Sequence, residues 1–405
     1  MLLLSLAGQV LLNALFLLCV WWATKKGSQW RRIAIGWVVF ELLYFLVIVI
    51  SKVLYHSRGE YLRVGTSLFT NYYVFIVILM MPLLCGYFII WLLGKLKVLK
   101  QAELRLKLRS WLLIVLLPIT GALCIKGYYN SINPVATHYY ITLPYNGAPK
   151  ELKIAFITDL HIGELVKKEV LQKMVKMVQD EQPDYVLVGG DQVDYYFDYV
   201  DQDSEISELL LSLHSDKSRI FHVLGNHEYY IDNEPKRKWL NEVGTLLVDS
   251  VVQLSDSLYL IGRDDAYNES NRLPLKALVE EVPEGATTIL LDHQPIEPDV
   301  ERALGIDLAL HGHTHDGQFI PFKWLVWLNF ENSYGYLHRG VTHYITSSGL
   351  GFSSSPILLG TLSEVVIIHL KLEGENKAHY WTRRASENRA YLLTCVGDII
   401  ENGHT

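Results

Sequence analysis

The stretch LKIAFITDLH, Leu152 to His161, is an apolar run of strand type that stops at once in an acid and a histidine. Outward from it the same figure recurs four times. Tyr185 to Val188 stops at Gly189-Gly190-Asp191, and Ile220 to Leu224 runs into Gly225-Asn226-His227-Glu228. Thr287 to Leu291 ends in Asp292-His293, and Leu308 to Leu310 leads into His311-Gly312-His313-Thr314-His315. Between these runs, Lys167 to Gln182, Ser204 to Leu213 and Lys236 to Val243 carry apolar residues at helical spacing. Thr245 to Leu254 with Leu258 to Gly262 reads as a strand pair, and Thr342 to Ser347 and Glu364 to Leu372 close the series. Strands alternating with helices predict a layered α/β sandwich. In such folds sites collect beyond the carboxyl ends of strands, so the five loops are expected to converge.

Singly, each loop is a weak signal. A histidine after a strand is usually a loop or core residue, and a Gly-Asp pair is common in turns. GNHE and GHTH say more, because glycine lets backbone pass close to a neighbouring side chain. Together and in this order the blocks TDLHIG, GGDQVD, GNHE, LDH and GHTHDGQ resemble the calcineurin-like metallophosphoesterases. Their pattern is D-x-H, GD-x-x-D, GNH-[ED], a downstream histidine and GHxH. The resemblance covers about Leu152 to Leu372 and is nearest to a membrane-associated bacterial branch carrying GHTHGGQ. It implies an α/β metallophosphoesterase sandwich of two mixed β-sheets flanked by helices, and a metal-dependent phosphoric ester hydrolase with a dinuclear centre and bridging hydroxide.

Carried over residue by residue, the resemblance implies that Asp159, His161, Asp191 and His315 hold one metal. Asp191, Asn226, His293 and His313 hold the other, with Asp191 as the bridge. His227 would stand over the pair, as general acid to the leaving oxygen or as an orienting donor. Four imidazoles, two carboxylates and an amide form a mixed nitrogen and oxygen shell, which suits Mn, Zn or Fe better than calcium. Asp194 and Glu228 are expected to orient ligands, and His311 and His222 to be structural. Two departures from the branch stand out. Asp316 occupies the place of the second glycine of GHTHGGQ, and Pro356-Ile357-Leu358 lacks an arginine common in that segment.

The front of the chain differs in kind. Residues 1–133 hold 14 Lys/Arg against 3 Asp/Glu, and the remainder 22 against 40. Four apolar runs lie there: Met1 to Thr24, Ile33 to Ser51 (broken only by Glu41), Val64 to Gly94, and Ser110 to Ile125. Each approaches the ~20 residues that a ~30 Å hydrocarbon layer requires. The expected organisation is a four-helix transmembrane domain over 1–130, a linker over 131–150, the catalytic domain over 151–375 and an extension over 376–405. Lys95 to Arg109 reads as an interfacial helix.

Lys25, Lys26, Arg31 and Arg32 in the first linker and six basic residues in the third outnumber the three of the second. The charge rule then places the catalytic domain on the outer face of a bacterial cell membrane. The four cysteines form no CxxC pair, and so no thiolate zinc site. An acidic back half excludes nucleic acid as a partner, since phosphate-backbone binding needs clustered Lys/Arg. Oligomeric state is not legible. The aromatic segment Phe319 to Phe330 is either core packing or a wall against the lipid bilayer. The expected substrate is an amphipathic, membrane-associated phosphate ester. The alternatives are cleavage of the pyrophosphate of UDP-2,3-diacylglucosamine and a non-catalytic receptor or scaffold.

Overall fold

The computed structural model describes residues 2–55, 60–163, 165–353, 355–375 and 377. The expected C-terminal extension otherwise lies outside them. The chain forms two compact units.

The first comprises Met1–Asn133 with two later segments, Gln318–Trp324 and Phe352–Leu362. Its helices are α1 (Leu2–Ala23), α2 (Gln29–Tyr55), α3 (Glu60–Lys95) and α4 (Ala102–Ile132), one for each apolar run. Among the described residues, Thr70–Lys95 and Ala102–Ile132 are long and apolar enough to cross a membrane. The comparable part of α1 is the shorter Leu11–Ala23, and α2 carries Arg31, Arg32 and Glu41. Cys19, Ala23, Ile76, Met80, Leu83 and Tyr87 are buried together between helices.

Lys95 to Arg109 is not a separate interfacial helix. Val98 and Leu99 fold back to bond the Leu93 carbonyl with Lys97 left-handed (φ 60°), after which Gln101 opens α4. That geometry ends a helix. The two later segments are built into this unit. Ile357 packs with Val74 and Ile78, Leu358 N–H donates to the Gly127 carbonyl (3.1 Å), and Asn130 Nδ2 donates to the Leu358 carbonyl (2.9 Å). The missing arginine is thus replaced by an apolar segment that helices enclose.

The second unit comprises Pro134–Gly317, Leu325–Gly351 and Ser363–Thr405. Its strands are β1 (Val135–Pro144), β2 (Lys150–Ile157), β3 (Tyr185–Val188), β4 (Ile220–His222), β5 (Thr245–Leu246), β6 (Ser250–Ser255), β7 (Leu258–Gly262), β8 (Thr287–Leu291), β9 (Leu308–His311), β10 (Gly335–Arg339), β11 (Thr342–Thr346) and β12 (Glu364–Glu373). They make two six-stranded mixed sheets, ordered β1-β12-β2-β3-β4-β5 and β10-β11-β9-β8-β7-β6.

Two expectations change here. The segment 131–150, read as a linker, contains β1, a ten-residue strand paired in parallel with β12 over Val135–Pro144 and Glu364–Glu373. Pro134 and Pro144 stand at its ends rather than inside it, where a missing N–H would break the ladder. Thr245 to Leu254 is two strands in different sheets, separated at Asp249, whose φ of 44° turns the chain.

Alternation along the strands gives the core. Ile154 and Phe156 of β2, Leu187 of β3 and Phe221 of β4 face inward. They meet Leu258, Leu260, Ile289, Leu291, Leu308 and Leu310 of the other sheet. On the outside, helix α5 (Lys168–Glu181) buries Val170, Leu171, Met174, Val175 and Val178, an i, i+1, i+4, i+5, i+8 stripe. Strands β2, β3 and β4 run parallel, as do β7, β8, β9 and β11. Each sheet therefore gathers its strand ends on one edge.

His222, at the end of β4, is fully buried and held by burial down to about 4. Between pH 6.5 and 4 the unfolded chain takes up a proton that the folded imidazole refuses, so stability falls as pH falls through that window. At ~1.4 kcal/mol per pH unit, this group removes on the order of 3 kcal/mol. His222→Leu should therefore narrow the difference in Tm between pH 7.5 and pH 5, measured by thermal unfolding against the parent. An unchanged difference would show that His222 does not govern it.

Candidate metal centre

The sequence places a chelating residue just past five strand ends, and the structure brings them together. Asp159 and His161 follow β2, Asp191 follows β3, Asn226 and His227 follow β4, His293 follows β8, and His313 and His315 follow β9. Two nests of donors result. Asp159, His161 and His315 form one, with His161 Nε2 3.0 Å from His315 Nε2 and His315 Nε2 3.4 Å from Asp159 Oδ1. Asp191, His293 and His313 form the other, with His293 Nε2 3.2 Å from Asp191 Oδ2. Donor atoms around one ion at ~2.0–2.2 Å lie roughly 3 Å or more apart, and these spacings are of that order.

Asp191 joins the nests. Its Oδ1 accepts the His227 N–H (2.8 Å), and its Oδ2 faces His293 Nε2 at 3.2 Å and His161 Nε2 at 3.8 Å. One carboxylate oxygen is thus spent on backbone, and the other is shared. The Asp159 carboxylate accepts the Thr158 hydroxyl (2.8 Å) and the His313 N–H (3.0 Å), which ties the β2 and β9 loops. Glu228 ties the β3 and β4 loops in the same way. It is buried and accepts N–H groups from Asp191, Val193 and Gly225 at 2.9, 3.1 and 2.8 Å.

Whether two metals fit can be read from atoms that want a partner. Asn226 Oδ1 is buried and makes no hydrogen bond among the described residues, and His293 Nε2 faces the Asp191 carboxylate at 3.2 Å. Asn226 Nδ2 donates to Tyr230 OH (2.7 Å), so its oxygen is the end turned inward. His293 Nδ1 lies 2.8 Å from the Gly189 carbonyl. A proton there leaves the Nε2 lone pair for an ion, the usual support of a ligating imidazole. Burial pushes His313 and His315 down to about 4, so both offer lone pairs at neutral pH.

Burial alone would raise the Asp191 carboxyl, but the imidazoles of His293, His227 and His161 outweigh it and hold it well below the carboxylate range. Burial alone would lower His293, yet Asp191, Asp159 and Asp265 together raise it well above the imidazole range. A cation entering here displaces protons. Donor set, spacing and orphaned atoms all fit two divalent ions.

The backbone is as unusual as the side chains. Asp159, His161, Asp191, His313 and His315 have φ of 55, 45, 51, 66 and 47°. Left-handed backbone is uncommon outside glycine, and its clustering marks functional sites. Asp316, at the place of the branch's second glycine, is also left-handed (φ 50°) and buried, so that departure keeps a conformation glycine holds without strain. Close approach governs Gly225 and Gly312. A Cβ on Gly225 would stand 2.2 Å from Asp191 Oδ1, and one on Gly312 would stand 2.2 Å from Thr158 Oγ1 and 2.3 Å from Asp159 Oδ2. Gly312→Ala should therefore push Asp159 aside and weaken metal binding by ~10–100-fold, as loss of ligand support does. Manganese titration followed by calorimetry checks this, and an unchanged affinity would show that the loop can yield.

His227 sits over the pair. Its Nδ1 is 3.0 Å from Asp194 Oδ1, and its Nε2 is 4.0 Å from Asp191 Oδ2. His311 is turned away, with Nδ1 on the Asp292 carbonyl (2.8 Å) and Nε2 3.4 Å from Glu301. Three participants were not read from the sequence. Lys236, in the helix Asn233–Val243, is fully buried and donates to the carbonyls of Asp194 and His227, each at 2.7 Å. It pins the backbone of both members of that pair. Tyr195 and Tyr230 ring His227 at centroid distances of 5.2 and 4.8 Å.

An α/β sandwich presenting fused nests of imidazole and carboxylate at its strand ends defines a scaffold for two metals. Residues 152–317 match the calcineurin-like phosphoesterase family, so that stretch of the chain is a calcineurin-like metallophosphoesterase domain. It is 35% identical over 237 residues to an uncharacterized metallophosphoesterase of Helicobacter pylori, covering 56% of this chain and 62% of that one. It is 30% identical over 281 residues to a transmembrane protein with metallophosphoesterase domain of Danio rerio, covering 64% and 62%. The phosphodiesterase YaeI of Escherichia coli is 27% identical over 258 residues, covering 61% and 90%. The match thus spans about three-fifths of the Helicobacter and Danio relatives.

Proposed function

We propose that this protein hydrolyses a phosphate ester at a two-metal centre while helices of its first unit hold it in a membrane, and that the substrate is amphipathic and membrane-associated. The observation that carries the hydrolase reading is the convergence of six imidazole and carboxylate donors into two nests, with Asp191 Oδ2 facing His293 of one and His161 of the other. Two bound divalent ions supply charge neutralisation at the phosphoryl oxygens and an activated water. The chain's own residues do the rest. The seven ligands fix where the phosphoryl group lies, Glu228 and Thr158 hold the carboxylate loops, and His227, braced by Asp194, stands where a leaving oxygen needs a proton. The complete ligand set argues against a non-catalytic scaffold.

The membrane reading is supported by the two apolar helices and by the transmembrane relative of Danio rerio. A third support is the helix Phe322–Asn329, none of whose residues is buried. Trp324, Leu325, Trp327 and Leu328 in it are each more than half exposed. Core packing, one reading of that segment, thus suits Phe319, which packs against Val74 and Ile78, better than Phe322–Asn329. So large an apolar display suits an interface. The charge of the linkers favours the outer face for the second unit.

The first test is turnover of bis-p-nitrophenyl phosphate and p-nitrophenyl phosphate by the full chain in detergent, with Mn, Zn, Mg or chelator. We expect metal-dependent release that chelator abolishes, and the ratio of the two rates separates diesterase from monoesterase. Folded, metal-loaded protein without turnover on either would overturn the hydrolase reading. Digestion of intact cells by external protease should remove the second unit, and protection of that unit would reverse the orientation.

A further inference from the structure

Beside His227 the surface is built of tyrosine. Tyr195 and Tyr230 stack on each other (5.6 Å, 25° between planes), and Tyr267 meets Tyr230 edge-on at 5.4 Å. Tyr195, Tyr230 and Tyr267 are 42, 38 and 59% exposed, although rings of this size usually sit inward or at interfaces. They come from three separate loops, those after β3, β4 and β7. The wall is also rigid. Tyr230 OH is fixed by Asn226 Nδ2, and Tyr267 N–H donates to Asp265 Oδ1 (2.7 Å). Asp265 itself accepts from Gln294 Nε2 at 3.0 and 3.1 Å, and Tyr229, 6.0 Å from Tyr267, is bound to both Asp264 and Arg237.

A patch of fixed aromatic faces, half open to solvent and contiguous with the proton-donating imidazole, is a place for a flat ring rather than for packing. We propose that Tyr195, Tyr230 and Tyr267 form the subsite for the leaving group, and that the alcohol released by this enzyme carries a planar ring. This rests on the hydrolase reading above. His227 fixes the side. The group that takes its proton is the departing oxygen, so whatever that oxygen carries lies against the rings that surround His227. Stacking on an aromatic face contributes roughly 1–3 kcal/mol per ring by alanine substitution, or about 5- to 150-fold in kcat/KM.

The test uses the full chain loaded with manganese and two diesters, methyl 2-phenylethyl phosphate and methyl hexyl phosphate. Their leaving alcohols have similar acidity, but only one has a π face. We expect the phenyl ester to be preferred, and Tyr195→Ala and Tyr267→Ala each to cut that preference, the ratio of the two rates, about 10-fold with the bound metal unchanged. Tyr267→Phe should keep the preference, because the ring and not the hydroxyl carries it. Tyr230 is left intact because it also holds Asn226. Equal rates on the two esters, or a preference that survives both alanine variants, would overturn the subsite. Should neither ester turn over, the nitrophenyl assay above judges the hydrolase reading separately. Equilibrium binding of 2-phenylethylphosphonate against hexylphosphonate then decides the subsite, with equal affinities overturning it.

Discussion

Asp191→Asn should abolish turnover by more than ~100-fold, beyond the ~10–100-fold that follows loss of a group merely supporting a ligand. The bound metal should fall below two ions per chain. The argument lies in the two oxygens. Oδ1 holds the His227 N–H at 2.8 Å, and an amide oxygen can still accept it. Oδ2, shared by His293 and His161, becomes an NH₂ group with neither charge nor lone pair for an ion. The variant keeps its shape and loses the join between the nests. A folded, metal-poor protein is expected. Metal analysis of purified protein beside a rate measurement checks both halves. Two ions per chain with full activity would remove Asp191 from the centre.

His227→Gln separates chemistry from binding. Here the metal content should hold at two, because His227 groups with His161 and Asp194 and is not among the six donors of the two nests. The rate should fall by ~10²–10⁴ for a substrate whose leaving alcohol needs a proton, the range for general acid catalysis. It should fall much less for nitrophenyl esters, whose leaving group departs as the anion. Asp194→Asn should show a weaker form of the same pattern, since it only steadies Nδ1 at 3.0 Å. An equal loss on alkyl and nitrophenyl esters would make His227 an orienting residue rather than a proton donor.

Much of this site could be read before any coordinate was known, and the reason is local. An apolar run that halts at Asp159, Asp191, Asn226, His293 or His313 carries its own strand and its own ligand in a few residues. What needed the structure is what several segments make jointly. The three tyrosines are scattered over 73 positions (195 to 267) and share no spacing. Lys236, in the run NEPKRKWLNEV, sits among charges and reads as a solvated face, yet it is fully buried. The strand β1 was hidden by its bounding prolines, because its pairing partner lies more than two hundred residues away in β12. The left-handed backbone of the ligand residues leaves no mark in their identities, and only the glycines around them hint at how tightly the loops approach.

The helical unit is not an appendage that can be cut off. Gln318–Trp324 and Phe352–Leu362 belong to it, although both come from the far side of the chain's catalytic motifs in sequence. A protein trimmed to begin after Asn133 would uncover Phe319, Ile357 and Leu359 from their packing with Val74, Ile78 and Cys124. It would also strip the Leu358 N–H and carbonyl of the Gly127 and Asn130 groups that bond them. Anyone seeking a soluble enzyme would thus inherit a sticky scar in two loops, and would have to redesign 318–324 and 352–362 along with the truncation. The same interleaving means that the two halves of this chain are not freely exchangeable parts, because any replacement for the first unit would have to fit those loops.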